Sequence, residues 1–244
     1  MQIPFEMEHK RIHILSTRPL SDSLINEVKE QGIYIDQSPF IRTEPIQSIE
    51  VQQEIEQAFL LTVPVVFTSM NAVDAVAYYI EETQPEWQIY CIGTTTNKLA
   101  AKYFGEASIA GTANDAESLA ELIVETGSTD EVIFFCGDQR RDELPQILRS
   151  NDIEVNEIMV YQTIALPHKI DKVYHGILFF SPSAVESFFR INKLPDTTIL
   201  FAIGNTTASE IRKYTTNKII IGNEPGKENL VNKMVEYFSP DFYV

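Results

Sequence analysis

At 244 residues with 44% apolar content, the chain suits one large domain or two of ordinary size, with enough apolar residues to bury proper cores. Asp and Glu number 35 against 19 Lys and Arg, a net charge of -16 that repels phosphate backbones and anionic lipid surfaces, so neither nucleic acid nor a membrane is an expected partner. Apolar runs such as Val132 to Cys136 and Ile177 to Phe180 fall far short of the roughly 20 residues a membrane span needs. Met1 to Lys10 lacks the apolar stretch of a secretory signal, so a cytoplasmic location is the default expectation.

The chain then reads as β-α units, each a short apolar run, a Gly/Ser/Thr turn and a helix with apolar residues three and four apart. The first runs from Ile12-His13-Ile14-Leu15 through Leu24 to Ile33, and an extended stretch carrying Pro39 and Pro45, Tyr34 to Ile46, follows it. In the second, Val65-Val66-Phe67 predicts a strand, and Ala72, Val73, Val76, Ala77 and Ile80 predict one face of a helix. Ile92-Gly93-Thr94-Thr95-Thr96 opens the third helix; Gly111 leads into the fourth unit, where Asp115 is placed to cap a helix whose stripe is Leu119, Leu122 and Ile123. Alternating strands and helices of this length predict parallel sheets covered by helices on both faces, an α/β fold.

The pattern then begins again. Val132-Ile133-Phe134-Phe135 through Leu144 to Ile153 matches the first unit, and a second extended stretch, Glu154 to Leu166, follows it as before. Phe179-Phe180-Ser181-Pro182-Ser183-Ala184-Val185 matches Phe67-Thr68-Ser69-Met70-Asn71-Ala72-Val73, and Ile203-Gly204-Asn205-Thr206-Thr207 matches Ile92 to Thr96. Gly222 with Leu230, Val231, Met234, Val235 and Phe238 matches Gly111 and its helix. The spacing between partners changes only between segments, as small loop deletions in an internal duplication would produce. Two similar halves imply a cleft between lobes, the usual place for a small ligand. Periodicity leaves two arrangements open: sequential domains with a boundary near Thr129, or halves that exchange their opening units through the extended stretches, acting as paired linkers.

In parallel sheets ligands bind beyond the carboxyl ends of the strands, which selects the turns Thr68 to Asn71, Gly93 to Asn97, Gly137 to Arg140, Ser181 to Ser183 and Gly204 to Thr207. Their hydroxyls and exposed amides at helix N-termini suit carboxylates or phosphates even in an acidic protein, although the same hydroxyls also serve as plain helix caps. Neither GxGxxG nor GxxxxGK[ST] occurs, and no GxSxG stands with a plausible His and Asp. His9, His13, His168 and His175 have no metal-ligand spacing, so no metal or organic cofactor is expected. Cys91 and Cys136, inside apolar runs and without a nearby partner, read as buried, reduced thiols. Tyr161 could donate a proton to a leaving oxygen if it projects into a cleft; on an extended stretch a tyrosine also often serves only packing.

Taken together, Leu15-Ser16-Thr17-Arg18-Pro19, Phe67 to Val73, Gly137 through Leu144 and Leu148 to Val160-Tyr161, Phe180 to Val185 and Ala202 to Ala208 resemble the uroporphyrinogen-III synthase family, roughly from Arg11 to Phe238. The resemblance implies two flavodoxin- or Rossmann-like domains joined by a two-stranded β connection, residues 1–37 with 166–244 and residues 38–165, with linkers at about 34–46 and 154–166 and the active site between them. It implies a cofactor-free hydro-lyase that cyclises the linear tetrapyrrole hydroxymethylbilane to uroporphyrinogen III, inverting the last ring, and acts as a monomer. Tyr161 then corresponds to the proton donor to the departing hydroxyl. Thr206 and Thr207 correspond to the family's threonine pair at the cleft and Ser69 and Ser181 to its paired strand-to-helix turns, placed to bind the substrate's carboxylates. Arg18 is a further candidate for that contact, and Asn71, Thr94, Thr95, Gly137 and Ser183 join them from the turns selected above. The chain departs from the family pattern at Asn71, where an arginine is frequent, and at Asn205, where proline is common. The rival expectation is a non-enzymatic two-lobed protein that binds or senses an anionic small molecule, though the chain shows neither the export signal nor the DNA-binding segment usual there. A phosphosugar enzyme is a third, without an obvious base in the glycine-rich turns.

Overall fold

A computed structural model describes residues 11–80, 84–127, 129–224 and 226–239; the leader reading of Met1 to Lys10 falls outside them. In chain order the elements are β1 (Ile12–Ser16), α1 (Asp22–Glu30), β2 (Ile33–Gln37), β3 (Ile41–Pro45), α2 (Ile49–Phe59), β4 (Val65–Phe67), α3 (Met70–Ala77), β5 (Ile89–Ile92), α4 (Thr94–Phe104), β6 (Ile109–Ala113), α5 (Ala116–Thr126) and β7 (Glu131–Gly137). There follow α6 (Glu143–Ser150), β8 (Glu154–Ala165), β9 (Gly176–Phe179), α7 (Pro182–Phe189), β10 (Ile199–Ala202), α8 (Asn205–Ile211), β11 (Ile219–Ile221) and α9 (Lys227–Phe238). Among the described residues no helix is long and apolar enough to cross a membrane.

The strands form two sheets, β11-β10-β9-β1-β2 and β3-β8-β7-β4-β5-β6. Read from the β11 and β6 edges, both place fourth, third, second and first units in that order, then the strand following the first unit. The five-stranded sheet thus joins two strands from the first half of the duplication to three from the second, and the six-stranded sheet joins β7 and β8 from the second half to β3 through β6 from the first. Strands β1, β2 and β9–β11 pair in parallel, as do β4–β8. Parallel neighbours need a crossover, and the helices between them supply it. The central strands are short apolar runs because both faces are covered: Val132 to Cys136 of β7 and Gly176 to Phe179 of β9 are buried without a break.

The chain divides into two compact units. One comprises the described residues up to Arg42 and those from Ile164 onward; the other is Thr43–Thr163. The chain passes between them twice, on β3 and on β8. Ile46 N donates to Val160 O at 2.9 Å and Leu166 N to Phe40 O at 2.8 Å, so residue numbers run in opposite directions and this pair is antiparallel. The extended stretch expected over Tyr34 to Ile46 is therefore two strands. β2 stays in the first sheet to Gln37, where Pro39, lacking an N–H, interrupts the ladder before β3 begins.

Each sheet has a core on both faces. In the Thr43–Thr163 unit, Phe67, Trp87, Phe104 and Phe135 form one aromatic cluster, with Phe67 and Phe135 centroids 5.4 Å apart, while Leu119, Ile123, Val132, Leu144 and Leu148 fill the other face. Burying each such ring contributes about 1.5–3 kcal/mol. In the other unit, α9 lays Leu230, Val231 and Met234 on one face, and α7 lays Val185 and Phe188 on the other. Of the predicted stripes, Ala72, Val73, Val76, Leu119, Ile123, Leu230, Val231 and Met234 are buried and Ala77, Leu122, Val235 and Phe238 partly so, while Ile80 lies beyond the end of α3. Asp115 caps α5 by accepting from Ser118 N at 2.8 Å. Cys91 and Cys136 are buried free thiols, and burial pushes them up to about 12 and about 11, which keeps both protonated and unreactive.

Candidate functional site

At the carboxyl edge of the Thr43–Thr163 sheet, neighbouring strands bring three expected site residues into contact. β4 ends at Phe67, and Ser69 turns the chain into α3; its Oγ accepts from Ala72 N at 3.2 Å, a standard N-cap. β7 ends in Gly137, which pairs with Tyr161 of β8 after a register shift between Cys136 and Gly137. Asp138 fixes this irregular end: its N–H donates to Tyr161 O at 3.2 Å, and its Oδ1 accepts from Thr163 N at 2.9 Å.

The bulge lays the Tyr161 ring against the Gly137 backbone. A Cβ on Gly137 would sit 2.3 Å from Tyr161 Cζ and 2.5 Å from Cε2, distances no real side chain tolerates. The glycine is thus required by close approach; its φ is not positive. From there Tyr161 Oη accepts a hydrogen bond from Ser69 Oγ at 3.1 Å. Tyr161 also lines a pocket of about 250 Å³ together with Asn71, Asp74 and Ala75 of α3, Tyr78 at its C-cap, and Thr43, Glu44 and Pro45 of β3. Pockets that hold whole drug-sized ligands run to about 300–1,000 Å³, so this one has room for part of a large ligand.

The remaining residues of this edge are Thr94 and Thr95, exposed in the first turn of α4, which packs beside α3. The first-turn amides of both helices have no intrahelical acceptor and carry the positive end of the dipole.

In the other unit, Ser181 caps α7 by accepting from Ala184 N at 3.2 Å, and Ser183 follows in the first turn, half-buried. Thr206 is exposed in the first turn of α8, whereas Thr207 is buried at 2% exposure and can offer a ligand only its backbone. Arg18, exposed just beyond β1, is one of two cations at that corner. Lys227 opens α9 and donates from Nζ to Pro19 O at 3.2 Å; partial burial, then the charge of Arg18, hold its ammonium below the usual range.

The sequence reading missed Asp74, Tyr78, Glu44 and Lys227. Asp74 and Tyr78 stand three and seven positions after Asn71, so helical spacing from Asn71 would have found them. No signal in the sequence places Lys227 beside Arg18. Among the described residues no group of three or more His, Cys, Asp and Glu side chains is arranged to hold a metal ion. The chemistry on offer is a phenol poised by a serine beside a small pocket, with helix N-termini able to hold anions.

The curated relatives include the porphyrin biosynthesis protein HemD of Ruminiclostridium josui, 25% identical over 94% of this chain and 49% of its own length. Uroporphyrinogen-III synthase of Saccharomyces cerevisiae is 24% identical over 61% of this chain and 64% of its own. The chain therefore spans less than two thirds of either relative. Among solved structures, uroporphyrinogen-III synthetase from Helicobacter pylori matches with a TM-score of 0.65 at 16% identity, covering 93% of this chain and 99% of that one. A mutant uroporphyrinogen III synthase from Thermus thermophilus matches at 0.60 and 14% identity, over 93% and 98%. Both share the fold. The family described as Uroporphyrinogen-III synthase HemD matches residues 22–232, most of the chain, which therefore belongs to the uroporphyrinogen-III synthase family.

Proposed function

We propose that the chain cyclises hydroxymethylbilane to uroporphyrinogen III with loss of water, Tyr161 acting as proton donor. The observation that carries this reading is the Tyr161 hydroxyl, seated on Gly137 and engaged by Ser69 beside a pocket, in a chain matched to the family along most of its length. The phenol gives its proton to the terminal hydroxyl, the C–O bond breaks, and its electron pair leaves with water. The terminal pyrrole supplies the compensating electrons and becomes an azafulvene-type electrophile. Attack on it through a spiro intermediate inverts the last ring; ring closure then releases a proton that restores the phenol. No redox partner or organic cofactor is needed.

The remaining candidates hold the substrate. Its eight carboxylates suit the first-turn amides of α3, α4, α7 and α8, with Ser69, Asn71, Thr94, Thr95, Ser181, Ser183, Thr206 and Thr207 in those turns and Arg18 adding a charge contact. Holding a reactive chain in one folded conformation can itself lower a barrier by several kcal/mol, which fits a site poor in charged catalytic groups. We place the enzyme in solution as a monomer in the cytoplasm. The test is a coupled assay starting from porphobilinogen and its deaminase, with separation of the product isomers. The type III ring is expected; spontaneous type I output alone, at any enzyme concentration, would refute the assignment.

A further inference from the structure

The geometry points to Ser69 as a positioning residue that aims the Tyr161 proton, a role that rests on the synthase reading above and differs from holding a carboxylate. Ser69 Oγ both accepts and donates: it accepts from Ala72 N at 3.2 Å, and its own proton goes to Tyr161 Oη at 3.1 Å. A hydroxyl has one proton and two lone pairs, so Oη, having accepted from Ser69, must direct its own proton elsewhere. The ring cannot rotate out of this arrangement on its inner side, because the Gly137 backbone lies against it. Ser69 and Gly137 thus fix both the ring and its proton, and the pocket lined by Tyr161, Asn71 and Asp74 is the open space beside them.

The internal duplication supplies the control. Ser181 stands at the same place in the other unit, with φ -160° and ψ 155° against -150° and 149° at Ser69, and makes the same 3.2 Å cap bond to the amide three residues on. The Ser181 side chain makes no second hydrogen bond among the described residues, so the cap alone meets the needs of the helix. The bond to a phenol is an addition found in only one of the two copies.

The test is a double-mutant cycle on the full chain. Tyr161→Phe is expected to lower kcat by about 10- to 100-fold, toward the low end of general-acid contributions because substrate folding supplies the rest. Ser69→Ala is expected to lower kcat by about 10-fold with little change in KM, and to add almost nothing when Tyr161 is already Phe, as partners in one interaction do. Ser69→Thr, which keeps cap and proton, is expected to restore most of the rate. Asp115→Ala removes a comparable N-cap from α5 and controls for helix loss; it is expected to lower the melting temperature without lowering kcat. Multiplicative losses in the double variant, or an effect of Ser69→Ala confined to KM, would overturn the positioning role and return Ser69 to substrate binding. If the wild-type chain yields no type III isomer, the synthase reading itself fails, a separate outcome.

Discussion

Gly137→Ala isolates the one residue whose absence of a side chain shapes the site. The new methyl would overlap the Tyr161 ring at 2.3 Å, so the half-buried ring must swing toward solvent and leave Ser69. Overpacking of this kind costs about 1–3 kcal/mol, and the open side of the ring favours the lower figure. The expected result is a small drop in melting temperature with a loss of kcat approaching that of Tyr161→Phe; wild-type turnover would show that the cradle is dispensable. Residue identities alone could not reveal it. The hydroxyl-rich turns were legible because a strand, a Gly or Ser and a helix start follow one another in sequence. Gly137 against Tyr161 was not, because that contact depends on a register shift between two strands that no periodicity records.

At the scale of elements, helix faces and caps were legible because their period is local: Leu119 and Ile123 of α5 and Leu230, Val231 and Met234 of α9 are buried as their spacing requires. The extended stretches were less so, since β2, β3 and β8 share one period and differ only in partners. β2 is also tied to the segment before β9 by ionic contacts. Asp36 Oδ2 accepts from Lys172 Nζ at 2.7 Å and from Tyr174 Oη at 3.0 Å. Burial alone would raise its carboxyl, but these hydrogen bonds and the Lys172 charge outweigh it and hold the group below the usual range; in turn burial and Asp36 push Tyr174 up to about 12. A carboxyl depressed in the folded state contributes stability that is complete above its unfolded value, about 3.9, and is lost as pH falls through the folded value. Asp36 is 46% exposed, so solvent screening limits the effect to about 0.5 kcal/mol. Urea titrations of the wild type and Asp36→Asn should therefore differ by that amount near pH 6 and converge below the folded value; a gap that persists at low pH would assign the difference to packing.

For the whole molecule, the sheet orders make a prediction that the sequence halves alone would get wrong. Cutting the chain at the duplication, after residue 127, leaves β4, β5 and β6 without β7 and β8, and β1 and β2 without β9. Both sheets would then carry an open, apolar edge where a central neighbour belongs. The Thr43–Thr163 segment instead contains β4 through β7, most of β8 and every residue of its two core clusters. At about 120 residues it has the ordinary size of an independent domain. Expressed alone it should show α/β circular dichroism and a single cooperative urea transition, whereas residues 11–127 should not unfold cooperatively. Cooperative folding of that first-half fragment would mean that local β-α units, and not the strand exchange between halves, carry the stability of the chain.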